Sequence, residues 1–413
     1  MIKILKSELC CGCAACVQKC PKQCISFHED SKGFCYPEVN ESLCVDCGLC
    51  EKVCPIINKR EPGEQPKKVI AFKNQDDEIR KKSSSGGFFT VLAEKIIDEG
   101  GVVFGARFDE RWNVVHSYTE TKEGLAAFRC SKYVQSYIGD SFKEVETFLK
   151  SGRKVLFTGT PCQVSALHLF LRKDHDNLYT MDFVCHGVPS PGVFRWYLQG
   201  ELNEIARKGN KNTVSLPTIT SIPKGDVLIP KGIKIKDIRF RDKSTGWKKY
   251  SFALDLTKAT AEGEKIQFTL SKDLTQHPFL RGFIGDLYLR PSCYNCPAKA
   301  LSSRSDFTVA DFWGQEDNFP NFDNNTGVSA VTLNTDKSHL LASSFFNGHK
   351  SIEKDFNIFY QHNPSFIHCV KLKRTSAKFW KLYGKYSFEE TLKRTYKNNI
   401  IDIYFKIKNR IIK

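Results

Sequence analysis

Seventeen cysteines are the residues of this 413-residue chain whose types and spacing most clearly predict chemistry. Eight of them form two runs of the pattern C-x2-C-x2-C-x3-C-P within the first 55 residues. The first run comprises Cys10, Cys13, Cys16 and Cys20, and the second comprises Cys44, Cys47, Cys50 and Cys54. Three closely spaced thiolates suit one face of an iron–sulfur cubane, and this run is a known ligand pattern for 4Fe-4S clusters. The chain is therefore predicted to carry electrons.

The fourth cysteine of each run is expected to ligate the cluster of the other run, as it does in two-cluster ferredoxins. One predicted ligand set is Cys10, Cys13, Cys16 and Cys54, and the other is Cys44, Cys47, Cys50 and Cys20. Zinc is the alternative, but zinc sites favour two separated C-x2-C pairs over triplets with a distant fourth cysteine. The spacing therefore favours two 4Fe-4S clusters.

Four further cysteines suggest a third site. Cys162 follows a predicted strand at 154–157, and Cys185 ends the predicted strand at 179–184. Each is expected in a turn before a helix, where ligands gather at the carboxyl ends of the strands of an α/β sheet. Cys293 and Cys296 add a C-x2-C pair. Four thiolates suit a third 4Fe-4S cluster, although zinc or scattered buried thiols fit the same spacing.

The remaining cysteines, by default, are buried structural thiols. They are Cys11, Cys24, Cys35, Cys130 and Cys369. The turn Ser84-Ser85-Gly86-Gly87 opens a predicted helix, where free backbone N–H groups and glycines suit a phosphate group. An ordinary helix N-cap explains the same residues.

The two cysteine runs predict an α+β ferredoxin-like dicluster module. From Val69 onward, apolar β-rich runs alternate with segments of helical period, which predicts a larger α/β domain, followed by a basic helical tail. The predicted boundaries are 1–55 for the module, 56–68 for a linker and 69–365 for the α/β domain, with parts at 69–150 and 151–365. The tail is predicted at 366–413. An inserted loop is expected at 205–235, followed by a strand pair between residues 235 and 256.

The composition is that of a globular protein, with 41% hydrophobic and 26% charged residues. No stretch of about 18 apolar residues and no signal sequence is evident. Because cluster thiolates need a reducing compartment, a cytoplasmic location is expected. The segment 371–413 carries +10 of the net charge of +16. A basic tail of this kind suits an acidic partner or a peripheral membrane contact. Residues 400–412, which interleave isoleucines with Lys and Arg, are predicted either to pack on the body as a terminal helix or to form an interfacial amphipathic helix.

Seven motifs in this order resemble those of one family, the β-subunits of the deazaflavin coenzyme (F420) hydrogenases and dehydrogenases. The resemblance covers roughly residues 1–365, in the bacterial form with an N-terminal two-cluster ferredoxin. The motifs are Ser84-Ser85-Gly86-Gly87, Lys132-Tyr133-Val134-Gln135-Ser136, Thr158-Gly159-Thr160-Pro161-Cys162-Gln163, Cys185-His186-Gly187, Phe240-Arg241-Asp242-Lys243 with Gly246-Trp247, Cys293-Tyr294-Asn295-Cys296, and Ala310-Asp311-Phe312-Trp313-Gly314.

The resemblance implies an iron–sulfur flavoprotein that binds FAD beside a third 4Fe-4S cluster held by Cys162, Cys185, Cys293 and Cys296. It implies flavin contacts from Ser84, Ser85, Gly86, Gly87, Lys132, Tyr133, Gln135, Ser136, Thr158, Gly159 and Thr160. The expected function is an oxidoreductase that relays electrons between the ferredoxin module and FAD, and between FAD and an unidentified small organic acceptor. The alternative is a non-catalytic electron-transfer subunit that docks on a partner through its basic surface. A ferredoxin or a reductase is the expected redox partner, and no nucleic acid is expected.

Overall fold

Three β-sheets organise the part of the chain that the computed structural model describes, which is residue 2 and residues 6–207, 225–259, 264–343 and 349–397. The strands are β1 (Ile25–Glu29), β2 (Cys35–Val39), β3 (Lys68–Lys73), β4 (Val102–Phe108), β5 (Val114–Thr119), β6 (Val155–Thr158), β7 (Leu178–Phe183), β8 (Ile233–Asp242), β9 (Ser251–Ala259), β10 (Lys265–Asp273), β11 (Phe307–Asp311), β12 (Ser329–Leu333) and β13 (Lys350–Lys354).

The helices of the same residues fall between and after these strands. They are α1 (Ala15–Lys19), α2 (Leu49–Lys52), α3 (Asp77–Lys81), α4 (Phe88–Asp98), α5 (Ser141–Lys150), α6 (Pro161–Leu171), α7 (Pro191–Arg207), α8 (Pro278–Ile284), α9 (Gln315–Asn318), α10 (Asp336–Ser343), α11 (Phe356–His362), α12 (Arg374–Leu382) and α13 (Phe388–Tyr396). Short 3-10 turns lie at Ser7–Leu9, Glu41–Leu43, Glu123–Ala127, Pro291–Asn295 and Pro364–Phe366.

The N-terminal module consists of the β1–β2 hairpin and the two short helices α1 and α2. Each helix contains the third cysteine of one run. The backbone of the module's two cysteine runs bends alike, because the residue directly after the second cysteine has a left-handed backbone conformation in both. That residue is Ala14 with φ of 59° in the first run and Gly48 with φ of 70° in the second. The repeated sequence therefore produces a repeated backbone turn that brings three thiols together. The predicted α+β module is confirmed.

The central sheet has the strand order β13-β3-β12-β11-β7-β6-β4-β5. Strands β4, β6, β7 and β11 are parallel, and β3 has the same direction because two antiparallel pairings separate it from β11. The carboxyl ends of these five strands therefore share one edge. In open α/β sheets this edge is where ligands bind.

Both faces of the central sheet are buried, which explains its nearly continuous apolar strands. Phe104 and Phe157 face a core shared with α5, α6 and the N-terminal module, whereas Val103 and Leu156 face a core shared with α4. Successive side chains of β4 and β6 therefore enter opposite cores, as the pleat requires. The predicted α/β domain is confirmed.

A third sheet and the C-terminal helices form a separate core. Strands β8, β9 and β10 are antiparallel, and the predicted strand pair is β8 and β9. Helices α12 and α13 bury Phe379 and Phe388 against Trp196 of α7, and the Tyr396 hydroxyl of α13 donates to the Arg281 carbonyl of α8 at 3.0 Å. The described part of the basic tail therefore packs on the body through aromatic side chains. Residues 398–413 and most of the predicted inserted loop, residues 208–224, lie outside the described residues.

The N-terminal module meets α7 where two glycines touch. A side chain on Gly33 would have its Cβ 2.4 Å from the Gly192 Cα, and one on Gly192 would have its Cβ 2.8 Å from the Gly33 Cα. The neighbouring ion pair of Arg195 with Glu29, at 2.5 Å, also crosses this contact. The absence of both side chains is therefore what lets the two backbones approach.

Gly192→Ala is expected to lower the free energy of unfolding by about 1–3 kcal/mol, because backbone atoms must move to admit the methyl group. Gly200→Ala, on the same helix, is the matched control, since a Cβ there meets nothing within 4 Å. This control should stabilise the chain slightly, as alanine favours a helix over glycine. Anaerobic urea unfolding of both variants checks the prediction, and equal midpoints would contradict it.

Candidate iron–sulfur and flavin site

The first predicted ligand set lines one concavity of the N-terminal module. A space of about 290 Å³ is bounded by Cys10, Cys13, Cys16 and Cys54, together with Cys11 and Phe27. Burial raises the pKa of Cys16 to about 12, and the neighbouring Cys10 and Cys54 thiols add to this shift. Thiols crowded in this way resist ionisation unless a cation binds them, and metal binding displaces their protons.

The second predicted set lines another concavity of the module. A space of about 350 Å³, partly open to solvent, is bounded by Cys20, Cys44, Cys47 and Cys50. Each concavity thus combines three cysteines of one run with the fourth cysteine of the other, which is the predicted crossing. The Cys24 thiol also borders this space and lies 3.3 Å from the Cys20 thiol. The donor sets fit two four-thiolate clusters.

The four cysteines of the predicted third site come together at the carboxyl edge of the central sheet. The Cys185 thiol interacts electrostatically with the thiols of Cys293, Cys162 and Cys296. Burial raises the pKa of Cys293 and of Cys296 to about 12. No three His, Cys, Asp or Glu side chains of the described ranges are arranged to hold a single metal ion. Four thiolates are a donor set that suits either a 4Fe-4S cluster or a zinc ion.

The position of Cys162 differs slightly from its prediction. Helix α6 begins at Pro161, so Cys162 lies in the first helical turn and not in a loop before a helix at 164. A capping box of Thr160 and Gln163 and the proline at the first position fix this start. The Thr160 hydroxyl lies 3.1 Å from the Cys162 thiol, and the Gln163 amide donates to the Ser136 hydroxyl at 3.0 Å.

Backbone N–H groups point at the sulfurs of this set. Val188 N–H donates to the Cys293 thiol at 3.4 Å, and Ala298 N–H donates to the Cys296 thiol at 3.5 Å. Such hydrogen bonds to sulfur are one of the means by which proteins tune cluster potentials. Cys369, predicted as a structural thiol, accepts from the Cys296 N–H at 3.2 Å and so supports the backbone of one of the four cysteines.

Cys11 links the first thiol set to the third. Its side chain is buried, and the neighbouring Cys11 thiol raises the pKa of the Cys162 thiol well above its ordinary value. Sequence spacing had placed it as a structural thiol beside Cys10, and its burial agrees with that prediction. Its contact with a residue more than 150 positions away carries no local signal in the sequence.

Arg290 is a second link between the N-terminal module and the α/β domain. Only 1% of this residue is exposed, and its guanidinium donates from Nε to the Cys10 carbonyl at 2.7 Å and from Nη2 to the Cys35 carbonyl at 2.9 Å. Its Nη1 donates to Gln135 Oε1 at 2.9 Å, and the Gln135 amide donates to the Cys11 carbonyl at 2.9 Å. Within the described ranges, no carboxylate lies within ion-pair distance of Arg290. Instead its charge acts on the Cys162 and Cys293 thiols.

The serine–glycine turn follows β3 at the carboxyl edge of the sheet. Ser84 Oγ accepts from the Ser131 N–H at 2.7 Å, and Ser85 Oγ donates to the Val328 carbonyl at 2.7 Å. Gly86 has no room for a side chain, because its Cβ would lie 2.2 Å from the Phe72 carbonyl oxygen. Gly87 has φ of 84° and is the N-cap residue of α4. The turn is therefore fixed by its own contacts at the start of a helix.

The segment that begins at Lys132 spans the same edge. The Lys132 ammonium donates to the carbonyls of Ala127 and Arg129 at 2.7 and 2.8 Å. Tyr133 stacks on Phe283 with ring centroids 4.6 Å apart. The side chains of Gln135 and Ser136 bind Arg290 and Gln163, so these two residues support the cysteine sites directly.

The turn after β6 completes the edge. The Thr158 hydroxyl donates to the Phe104 carbonyl at 2.8 Å, and the Gly159 N–H donates to the Met181 carbonyl at 3.1 Å. The Thr160 N–H donates to Gln163 Oε1 at 2.9 Å. The structure thus brings all three predicted flavin segments to the edge that carries Cys162 and Cys185.

A buried charged cluster lies beside the serine–glycine turn. Arg241 Nη1 donates to Asp311 Oδ2 at 2.6 Å, and Trp247 Nε1 donates to Asp311 Oδ1 at 3.1 Å. The Lys243 ammonium donates to the carbonyls of Arg80, Ser85 and Thr326 at 2.6–2.8 Å. Burial, together with the charge of Arg241, lowers the pKa of Lys243 to about 7. These side chains belong to two of the motifs, but their contact with the serine–glycine turn was not predicted.

The fold and the thiol sets together define an iron–sulfur protein in which a dicluster module is joined to an α/β domain. Comparison with family models gives two matches. Residues 9–56 match the 4Fe-4S dicluster domain, and residues 152–351 match the C terminus of the coenzyme F420 hydrogenase/dehydrogenase beta subunit. Residues 152–351 therefore have the sequence of this beta-subunit family and residues 9–56 that of a dicluster domain, as the motifs predict.

Individual relatives cover parts of the chain. An uncharacterised protein of Methanocaldococcus jannaschii is 28% identical over 214 residues, which are 43% of this chain and 58% of that protein. A 7Fe ferredoxin of Hydrogenibacillus schlegelii is 42% identical over 43 residues, which are 10% of this chain and 49% of the ferredoxin. The chain thus spans about half of the length of these two curated relatives. A solved F420-reducing [NiFe] hydrogenase complex from Methanosarcina barkeri contains a chain that is 17% identical, with a TM-score of 0.42, covering 82% of this chain and 93% of that one.

Within the described ranges, no helix has both the length and the apolar character that crossing a membrane requires.

Arg290→Met is expected to lower the free energy of unfolding by about 3 kcal/mol or more, because it leaves buried carbonyls of the module without donors. The free energy of unfolding of Arg290→Lys should lie between those of this variant and the wild type, since a single ammonium group replaces a guanidinium that donates to three acceptors. Arg111→Met is the control, because the exposed Arg111–Asp226 pair at 2.8 Å is expected to contribute little. Thermal unfolding, together with limited proteolysis of the segment 56–68, measures the effect. Equal behaviour of the Arg290 and Arg111 variants would contradict the prediction.

Proposed function

We propose that this protein is an iron–sulfur flavoprotein oxidoreductase. In this proposal the dicluster module exchanges single electrons with a partner protein, and a third 4Fe-4S cluster connects the module to FAD. When bound, the clusters supply one-electron transfer, and FAD supplies the exchange of two electrons with an organic molecule. The observation that carries the proposal is the meeting of the third thiol set with three flavin-family segments at one sheet edge, against which the N-terminal module packs.

The third cluster is supported by its donors and by the charge around them. Four buried or half-buried thiols from three separate segments face one another, and main-chain N–H groups point at two of their sulfurs. A cluster with four thiolates is anionic, and the buried Arg290 guanidinium, which has no carboxylate partner among the described residues, supplies a compensating charge. Lys299, which donates to the Cys185 carbonyl at 2.6 Å, adds a second cation.

The flavin proposal rests on the family and on the donors of the edge. Ser84, Ser85, Gly86 and Gly87 open helix α4, whose first N–H groups suit a phosphate group. Tyr133 lines the same edge with an aromatic face, and Thr158, Gly159 and Thr160 run from β6 to the Cys162 thiol. Lys132, Gln135 and Ser136 complete the proposed set by positioning these segments.

The contacts also support an order of the proposed clusters along the path of electron transfer. Cys11 joins the set of Cys10, Cys13, Cys16 and Cys54 to Cys162, so this set is the inner one. The set that contains Cys47 is the outer one, because Cys47 is exposed. Leu43 and Val45 beside it are 54% and 58% exposed, which suits a transient contact with a redox partner. The protein positions the clusters in series from its surface to the sheet edge.

The second candidate function is a non-catalytic electron-transfer subunit. The basic tail favours it, and the family model is named for a beta subunit. The two functions differ in whether the isolated chain reduces any small organic acceptor. A cytoplasmic location, with contact of the basic tail to an acidic partner or a membrane surface, remains a prediction.

Anaerobic purification of the full chain is expected to give about twelve iron atoms and about one flavin per chain, from three clusters and one FAD. Chemical iron analysis and the visible spectrum of the released flavin measure both quantities. About eight irons without flavin would contradict the flavoenzyme proposal and leave only the dicluster electron carrier.

Cys11→Ala is expected to keep all of the iron and to slow electron passage between the module and the flavin several-fold, because the contact with Cys162 is lost. Cys24→Ala is the matched control, since Cys24 also adjoins a proposed ligand thiol, that of Cys20 at 3.3 Å, but lies at the outer set. Stopped-flow absorbance after mixing with a reduced ferredoxin reports the rate. If Cys11→Ala instead loses about four irons, Cys11 is a ligand and the proposed ligand set is wrong.

A further inference from the structure

Arg241 has an unused pair of hydrogen-bond donors inside the protein. The residue is only 6% exposed, and its Nη1 is occupied by Asp311 at 2.6 Å. The guanidinium lies over the ring of Tyr250, with 4.5 Å between the central carbon and the ring centroid. Both Nε and Nη2 are buried and have no hydrogen-bond partner among the residues that the structure describes. A buried charged donor without a hydrogen-bond partner lowers the stability of the fold, and a bound ligand that accepts from it would remove this penalty.

The two unused donors form one edge of the guanidinium. Nε–H and Nη2–H point the same way, as a parallel fork that matches two adjacent acceptor atoms of a planar group. Asp311 holds the opposite side of the guanidinium and thereby fixes its plane. The ligand that fits is therefore planar and carries two neighbouring acceptors. A lysine at this position would supply the charge but not the fork.

The fork lies among the segments proposed for the flavin. Asp311 ends β11 at the carboxyl edge of the central sheet, and Arg241 interacts electrostatically with the Tyr133 phenol. Lys243, two residues further along the same strand region, holds the Ser85 carbonyl at 2.8 Å. Arg241 therefore connects the serine–glycine turn to the segment that contains Tyr133.

Aromatic rings surround the charged cluster. Trp247 and Trp313 stack with centroids 4.9 Å apart, and Tyr133 and Tyr250 are 6.5 Å apart by the same measure. Tyr133, Tyr250 and Trp313 are half-buried, so part of each of these residues remains exposed to solvent. A few polar groups between aromatic walls are typical of sites for flat organic ligands.

We propose that the Nε and Nη2 donors of Arg241 bind the pyrimidine edge of the flavin ring, where N1 and the C2 carbonyl oxygen are adjacent acceptors. The inference rests on the proposed flavoprotein function and names the residue that orients the ring. A positive charge at this edge is one of the means by which proteins tune flavin electronics. A pyrophosphate oxygen pair and a substrate carboxylate present similar acceptors, and the experiment separates them.

The test titrates flavin-free full-length protein that retains its clusters with FAD and with riboflavin, following flavin fluorescence. Arg241→Gln and Arg241→Lys are both expected to weaken FAD and riboflavin by about 10- to 100-fold, since each loses the two-donor fork. In flavin retained at high concentration, the Arg241→Gln reduction potential should also shift to more negative values. Arg239→Gln is the control on the same strand, because Arg239 pairs instead with Asp237, Asp242 and Asp255. Its affinities should change by less than about twofold.

The outcomes are distinguishable. If the wild type binds neither flavin, the proposed function fails and the inference fails with it. If the wild type binds both and the Arg241 variants bind both equally well, the proposed function stands and the inference is overturned. Weakened FAD with unchanged riboflavin would place Arg241 on the pyrophosphate and also overturn it. Iron content and the thermal midpoint establish that the variants are folded, and Arg241→Lys, which keeps the charge beside Asp311, decides the matter if Arg241→Gln does not fold.

Discussion

The three-way hydrogen bonding of Arg290 is the interaction on which the rest of the structure depends. One buried guanidinium binds the carbonyls of Cys10 and Cys35 in the N-terminal module and the Gln135 amide in the α/β domain. It thereby fixes the module against the sheet edge that carries Cys162 and Cys185. The interaction of Cys11 with Cys162 crosses the same boundary between the module and the rest of the chain, and so does the close approach of Gly33 to Gly192.

Charge explains why a buried cation is stable at this boundary between the N-terminal module and the α/β domain. A guanidinium removed from water is stable when anions compensate it, and the described residues offer Arg290 carbonyls, aromatic rings and thiols but no carboxylate partner. The rings of Tyr36 and Phe34 lie 4.4 and 5.3 Å from it. Two sets of proposed cluster thiolates flank it and would supply the missing negative charge. Arg241 shows the opposite pattern, because its carboxylate partner is present and its donors exceed its acceptors.

The sequence predicted those features that depend on local spacing or on general rules of topology. The crossed ligand sets around Cys20 and Cys54 follow from a repeated motif, and the two concavities have those linings. The meeting of Cys162 with Cys185 follows from the rule that parallel strands share a carboxyl edge. Arg290 could not be predicted as a link, since it binds a carbonyl 280 residues away and no pattern marks a side chain that binds main chain.

Other features needed the tertiary structure for similar reasons. Gln135 belongs to a motif that the family associates with the flavin, yet its amide is held between Cys11 and Arg290. The unpartnered Nε and Nη2 donors of Arg241 depend on which acceptors the tertiary structure brings near them, and no sequence pattern specifies those acceptors. Two hypotheses were open for residues 400–412, because a basic amphipathic helix has the same pattern whether it covers a protein core or a membrane surface.

The most direct test of the account is electron paramagnetic resonance of the fully reduced full-length protein, compared with a Cys293→Ser/Cys296→Ser variant. The central claim is that a third cluster lies at the sheet edge, in contact with the inner cluster of the module through Cys11 and Arg290. The account predicts three clusters in the wild type, with magnetic coupling that extends to the third, and only the two coupled clusters of the module in the variant. Identical spectra of two clusters in both proteins would contradict it.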